Sequence, residues 1–294
     1  MRYVRFRSMP EIGLRKLVDS FGSKLISAFD TRGQLCVGID PHAHLLQAWG
    51  LDDSPSGLRE FSLRVVEASA GSVSCIKPQV SFFERFGAEG YEVLSEVTQL
   101  ANSKGLIVIA DAKRGDIGST MEAYFEAWFG GKSGLFADAI TTSPYLGLSE
   151  SADVFAKWAS MGKGMYSLVA TSNHAGQAVQ MATVGGRSLA SDQFLQLATL
   201  NASQGSGLGS HGAVLGATNE LDKFGIPNVA GQIPILAPGF GAQGAKLSNA
   251  RSIFKGLSPH ISFSVSRSVL ASGPGELQSS IKRANTELAQ GLTK

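Results

Sequence analysis

The chain has 294 residues, 43% of them hydrophobic and 17% charged, with a formal net charge of +2. That length can bury one barrel-sized core or two smaller ones, and the near-neutral balance excludes a basic face for nucleic acid. No apolar run approaches the length that spans a bilayer and no signal-peptide core is present, so nucleic acid and membrane are not expected partners and the cytoplasm is the expected compartment.

The N-terminus, M-R-Y-V-R-F-R-S-M-P, reads as a basic tail leading into a first helix over 10–29. Short β-branched runs then recur at 35–40, 73–77, 106–111, 139–142, 165–171, 213–217, 233–237 and 260–265. Segments of helical period fall between them, at 58–70, 90–103, 121–129, 149–159, 191–202 and 244–254. Strand–helix alternation gives a parallel sheet, and eight such units predict one closed (β/α)8 TIM barrel with an N-terminal helical extension. No composition break divides the chain, so 1–294 reads as a single domain. The segment 173–212 is long and glycine-rich, and reads as an insertion between strands five and six that contains one helix. Cys36 and Cys75 fall inside predicted strands, where small buried hydrophobes belong, and suit a reducing compartment.

Sites in such barrels lie at the C-terminal strand ends. Reading those ends in order gives Asp40, Lys77, Asp111 with Lys113, Thr141, Thr171 with Ser172, and Thr218. The loop P-G-F-G-A-Q-G (238–244) and then S-R-S (266–268) complete the series. The third strand is the most informative, L-I-V-I-A-D-A-K-R-G-D-I-G-S-T over 106–120. Asp111 and Lys113, two apart on an extended chain, leave the strand end on one face, while Asp116 lies beyond it and approaches from elsewhere. Two carboxylates around one ammonium suit a site where charge is used, although a capped turn with a surface ion pair has the same composition. Loops after strands seven and eight are the usual phosphate site of this fold. The glycines of 238–244 and Arg267 fit a phosphate there.

Other chemistries can be drawn from the same residues. His42 and His44 form an H-x-H that a metal-dependent hydrolase could use, but His211 and His260 fall at the wrong ends of their strands, and no metal site is expected. Lys77 or Lys113 could form a Schiff base. A carboxylate two residues from Lys113 favours its charged form, which points instead to proton donation and electrostatics. A non-catalytic phosphosugar-binding barrel would explain the phosphate loops and leave the clustered charges without purpose.

D-A-K-R-G-D-I-G-S-T closely resembles the D-x-K-x-x-D-I-x-x-T signature of the orotidine 5′-phosphate decarboxylase family. The resemblance extends to C-V-G-I-D at strand one, I-K-P-Q-V-S-F-F-E at strand two, A-T-S-N at strand five, A-P-G-F-G-A-Q-G at strand seven and S-R-S at strand eight. The K-P-Q form and the length are similar to the longer bacterial subfamily. The resemblance implies a carboxy-lyase that converts orotidine 5′-phosphate to UMP, the last step of de novo pyrimidine synthesis, without metal or organic cofactor. Carried over by motif, Lys113 stabilises and then protonates the carbanion at C6. Asp111 lies near the departing carboxylate and, with Lys77 and Asp116, holds Lys113 in place. Asp40 and Lys77 would bind ribose hydroxyls, Ser172 the pyrimidine, and Gln243 with Arg267 the phosphate. The resemblance also implies a homodimer with shared sites, in which Asp116 and Thr120 enter from the other subunit. Two positions depart from the pattern. Gly118 stands where the family often has proline, and strand five continues S-N-H-A-G in place of S-N-P-G. Magnesium-dependent sugar-phosphate barrels share the D-x-K-x-x-D element and are the alternative.

Overall fold

The computed structural model describes residues 18–227 and 231–293. Eight parallel strands close into a barrel. They are β1 (Leu35–Ile39), β2 (Cys75–Pro78), β3 (Ile107–Arg114), β4 (Ala139–Thr142), β5 (Gly164–Ala170), β6 (His211–Leu215), β7 (Ile235–Ala237) and β8 (Ile261–Val265). Each pairs with the next in sequence, and β8 returns to β1 with Leu35 opposite Phe263. Closure follows from the alternation of strand and helix in the chain, because each crossover must lay its helix on the outside of the sheet.

Both faces of every strand are covered, which is why the strands read as continuous apolar runs. Leu35, Val37 and Ile39 of β1 belong to the layer beneath the outer helices, whereas Cys36 belongs to the interior cluster with Cys75, Ile107, Ile109, Tyr166, Val214 and Leu236. Cys36 and Cys75 are register partners on β1 and β2, fully buried and unbridged. Burial raises both thiols, Cys75 to about 11.

Of the expected helix over 10–29, the described part is α1 (Phe21–Arg32), which ends at Arg32 rather than at 29. The tail and residues 10–17 of that expectation lie outside the described residues. Ser20 starts the helix by accepting from the Ser23 amide at 3.1 Å. Phe21, Leu25, Ala28 and Phe29 sit in the same cluster as the barrel interior. The Phe21 ring meets Tyr166 edge-on at 5.9 Å. A Cβ on Gly164 would lie 2.4 Å from that Phe21 ring, and one on Gly22 would lie 1.8 Å from the Leu208 carbonyl oxygen. Two glycines therefore let α1 close the N-terminal end of the barrel, leaving the other end as the polar mouth.

The crossover helices α2 (Pro55–Ser69), α3 (Gly87–Ser103), α4 (Gly118–Phe129), α5 (Ala152–Ser160) and α6 (Leu189–Ala202) match the periodic segments, each within a few residues. The segment 244–254 becomes helical only from Leu247, as a 3-10 turn, Leu247–Asn249, that leads into an α-helix. The Gly241 amide donates to the Ala245 carbonyl and the Ala245 amide to the Gly239 carbonyl, so the helix α7 waits until Ala250–Phe254. A final helix, α8 (Leu277–Thr293), was not anticipated, although Leu277, Ile281 and Leu288, all buried, carry its period. Within 173–212, α6 is the β5–β6 crossover helix. Before it come the short helix Gln177–Gln180 and a small hairpin, Thr183–Val184 with Arg187–Ser188. No described helix is long and apolar enough to cross a membrane.

Phe21 is fully buried and closes one end of the barrel. Phe21→Ala is expected to destabilise the protein by about 3–5 kcal/mol, read as a shift of the urea unfolding midpoint. Because the mouth lies at the opposite end, the ligand affinity of the folded variant should be unchanged.

Candidate active site

The mouth is organised by one carboxylate. Asp111, on the inner face of β3, accepts from Lys77 Nζ of β2 at 2.8 Å through Oδ2. Through Oδ1 it accepts from Lys113 Nζ at 2.6 Å and from Thr141 Oγ1 of β4 at 3.0 Å. Lys77 and Asp111 are 6% and 9% exposed, so neither is neutralised by water, and the ions must satisfy each other. Burial alone would raise the Asp111 carboxyl, but Lys77 and Lys113 outweigh it and hold the group far below the usual carboxylate range. Burial would likewise lower Lys77, and the Asp111 and Asp40 carboxylates instead hold its ammonium above the ordinary lysine value. The Lys113 side chain is about half exposed, at 46%, and is the most open member of an array that lines the cavity.

Lys113 does not reach that position along a regular strand. The β3–β4 register shifts between Ala110 and Arg114, and Lys113 has φ +50°, in the left-handed region. For a side chain other than glycine such a conformation costs roughly 1–3 kcal/mol and persists only where its surroundings enforce it. Here the Lys113 amide donates to Thr141 Oγ1 at 2.9 Å and the Ser143 amide to the Arg114 carbonyl at 2.8 Å. The shared direction of Asp111 and Lys113, expected from i, i+2 alternation, is thus produced by a bulge that re-aims the lysine.

The opposite rim is built from backbone. After β7, Gly239, Gly241 and Gly244 all take positive φ, and Gly241 packs so tightly that a Cβ would lie 2.4 Å from Ser268 Oγ. Gln243 sits within this turn. Ser266 and Arg267 follow β8, and Arg267 has no ion-pair partner among the described residues. After β5, Gln180 holds the chain at Thr171, accepting from its amide at 3.0 Å and donating to its Oγ1 at 2.7 Å. Asn219 donates to the Ala170 and Thr171 carbonyls. A Cβ on Gly216 would lie 2.7 Å from the Ser172 nitrogen, so the residue that follows β6 packs directly under Ser172.

These groups surround one cavity of about 890 Å3, lined by Asp40, Lys77, Asp111, Lys113, Ser172, Gln243 and Arg267 among others. Asp40 Oδ1 and Ser266 Oγ, both buried on its wall, have no hydrogen-bond partner among the described residues. Seven of the nine residues singled out in the sequence therefore converge. Asp116 and Thr120 do not line the cavity. Asp116 is half-buried in the loop after β3, its Oδ1 accepting from the Ile117 amide, and Thr120 is exposed in the first turn of α4. Gly118, at φ +50°, opens that helix in a conformation proline cannot adopt. Gln79, in the K-P-Q element but not among the expected site residues, also joins the site, its amide 3.5 Å from Lys113 Nζ and 3.4 Å from the Asp111 carbonyl. Gln180 lines the cavity too, and carries no sequence signal. His42 lies against Phe82, ring centroids 4.3 Å apart, and burial lowers it despite Asp40. Among the described residues no three His, Cys, Asp or Glu side chains group as metal ligands.

The sequence profile of the orotidine 5′-phosphate decarboxylase / HUMPS family matches residues 33–274. The chain belongs to that family. It is 44% identical over 280 residues to an orotidine 5′-phosphate decarboxylase of Streptomyces coelicolor, covering 94% of this chain and 99% of the relative. A second such relative, from Salinispora arenicola, is 46% identical over 258 residues, 87% of this chain and 92% of its own. A solved structure from Streptomyces avermitilis superposes with TM-score 0.89 at 41% identity, covering 99% of this chain and all of the other. The Leishmania donovani OMP decarboxylase structure superposes with TM-score 0.72 at 27% identity, over 94% and 100%. The family match spans every barrel strand, so the array at β2 and β3 and the turn after β7 lie within it.

The coupled array has a signed pH dependence. Asp111 has a depressed folded pKa, so its contribution to stability is present above the unfolded value of about 4 and is lost as pH falls through the folded value. Lys77 is raised, so its contribution is present below about 10.4 and is lost as pH rises through its folded value. Asp111→Asn should cost about 3–5 kcal/mol at neutral pH by leaving Lys77 buried without its partner. The gap between wild type and variant should narrow below about pH 4, in chemical denaturation at stepped pH, and a constant gap would show that Asp111 is not ionised by its neighbours.

Proposed function

We propose that this chain is a carboxy-lyase that converts orotidine 5′-phosphate to UMP and carbon dioxide, the closing step of de novo pyrimidine synthesis. The observation that carries the reading is the desolvated Asp111 carboxylate between two ammonium groups, one of which faces a cavity with a glycine-lined, arginine-bearing rim. Family membership and relatives of that activity, matched over nearly their whole length, support it.

The C6–carboxylate bond breaks, carbon dioxide leaves, and the electron pair remains at C6. A vinylic carbanion has no good resonance sink, so a preorganised ammonium is the stabiliser, and no metal or organic cofactor is needed. Lys113 serves as that ammonium, transfers a proton to C6, and is reprotonated from solvent. Its 2.6 Å contact with Asp111 fixes its aim before substrate arrives. Asp111 lies beside the departing carboxylate, and Lys77 compensates its charge. Asp40 and Lys77 take the ribose hydroxyls, a role that suits the unpartnered Asp40 Oδ1. Ser172 binds the pyrimidine, and Gln243 and Arg267 the phosphate. Phosphate affinity at the rim is then available to close loops and orient the reacting carbon.

The active form is a homodimer with shared sites, Asp116 and Thr120 reaching the partner's cavity. Their position outside the cavity of their own chain supports this. So do the exposed apolar side chains Ile117, Tyr145 and Leu146 on the loops after β3 and β4, which Gly115 and Ser143 pack together. Two buried free cysteines suit a cytoplasmic enzyme.

Purified protein should consume orotidine 5′-phosphate in excess EDTA, followed as loss of its ultraviolet absorbance. Activity that vanishes with chelator and returns with magnesium would favour the metal-dependent relatives. Lys113→Ala should remove nearly all turnover while UMP binding stays measurable, because the lysine acts on charge present only in the transition state.

The shared site makes a second prediction. Inactive Lys113→Ala and Asp116→Asn variants, unfolded and refolded together, should regain activity, since in a mixed dimer one site inherits both changes and the other neither. With random mixing about a quarter of all sites are intact. A mixture as inactive as its parents, with mixed dimers demonstrated by mass, would put Asp116 to work in its own chain.

A further inference from the structure

Arg114, the neighbour of Lys113, does not line the cavity, yet its guanidinium is held on several sides. Nη1 donates to the Ala112 carbonyl at 2.9 Å. Nη2 donates to Glu84 Oε1, which also accepts from Tyr91 Oη at 2.8 Å, and Nη2 lies 3.5 Å from that hydroxyl. The Tyr124 ring of α4 lies 5.7 Å from the guanidinium carbon. Glu84 ends the short helix Ser81–Glu84 that follows β2, and Tyr91 belongs to α3. One planar cation thus ties three elements to the carbonyl that immediately precedes Lys113.

That carbonyl lies inside the bulge. Lys113 at φ +50° is flanked by Ala112, whose carbonyl Arg114 holds, and by Arg114 itself, whose carbonyl accepts from the Ser143 amide. An ordinary surface ion pair would leave the Ala112 carbonyl alone, and would be more exposed than the 22% found for the Arg114 side chain. A left-handed lysine is kept only by contacts that outweigh its strain, and the rigid fork of an arginine reaches a carbonyl and a carboxylate from two separate nitrogens, a span the single nitrogen of a lysine does not reproduce.

We infer that Arg114 is a positioning residue for the reaction proposed above: anchored on Glu84 and Tyr91, it holds the Ala112 carbonyl and so the left-handed turn that aims the Lys113 ammonium into the cavity. The inference rests on the assignment of Lys113 as the reacting ammonium. Without the clamp, the bulge relaxes toward regular strand geometry and the ammonium loses its direction, while the rim that binds phosphate and the floor formed by Lys77 and Asp111 are untouched. The loss should therefore fall on kcat.

Wild type, Arg114→Met, Arg114→Lys and Glu84→Gln are to be compared on orotidine 5′-phosphate, with UMP Kd by calorimetry and assays run well below each variant's Tm. Arg114→Met is expected to lower kcat more than about tenfold with KM and UMP Kd within about threefold, and Arg114→Lys to recover only part of the loss. A smaller fall in kcat, or a KM and Kd that rise in parallel with it, overturns the inference. If Arg114→Met does not fold, Glu84→Gln is read by the same two criteria, since it keeps an acceptor but loses the charge that anchors the guanidinium. A wild type without decarboxylase activity removes the functional reading itself. An active wild type with an indifferent Arg114→Met removes only the clamp.

Discussion

The Asp111 carboxylate is the constraint on which the mouth of this barrel depends. It is nearly dry, it accepts from two ammonium groups and a threonine hydroxyl, and those donors come from β2, β3 and β4. A buried ion pair of this kind is weak evidence for stability, because desolvation offsets most of the attraction. Its value lies in geometry. Three strand ends are pinned to one atom pair, and a charged lysine is presented to the cavity with its direction set in advance.

The fold makes such a concentration of charge tolerable by separating tasks along the barrel axis. At the N-terminal end α1 supplies Phe21, Leu25 and Phe29 to a continuous apolar plug with Tyr166, Ile107 and Ile109. Dry packing there leaves the polar side chains only the opposite opening. The same low dielectric that raises the Cys36 and Cys75 thiols below the site strengthens the Lys77–Asp111 attraction above them.

The two sides of the cavity work by different chemistry. Around Asp111 the functional groups are charged side chains on strands, rigid and mutually neutralising. Across the opening, the turn 238–244 offers glycines at positive φ, and Arg267 stands without an ion-pair partner among the described residues. A ligand with an anionic end is suited to the second side, and a group that changes charge during reaction is suited to the first.

The sequence by itself determined the barrel, because every strand is buried on both faces and must read as an apolar run of the right length between amphipathic segments. It also determined which strand ends are polar, and Asp40, Lys77, Asp111, Lys113, Ser172, Gln243 and Arg267, all at or just after those ends, line the cavity. Helix α8 is legible in the spacing of Leu277, Ile281 and Leu288, although no motif marks it. Contacts between distant elements were not legible. The left-handed turn at Lys113 depends on Thr141 and Ser143 of the neighbouring strand and loop, the grip on Thr171 depends on Gln180, and the hold on Ala112 depends on Glu84, reached only after β2 and β3 pair. Local sequence sets period and composition. Only the closed barrel decides which side chain ends within hydrogen-bond distance of which carbonyl, because that distance is fixed by pairing between strands far apart in the chain.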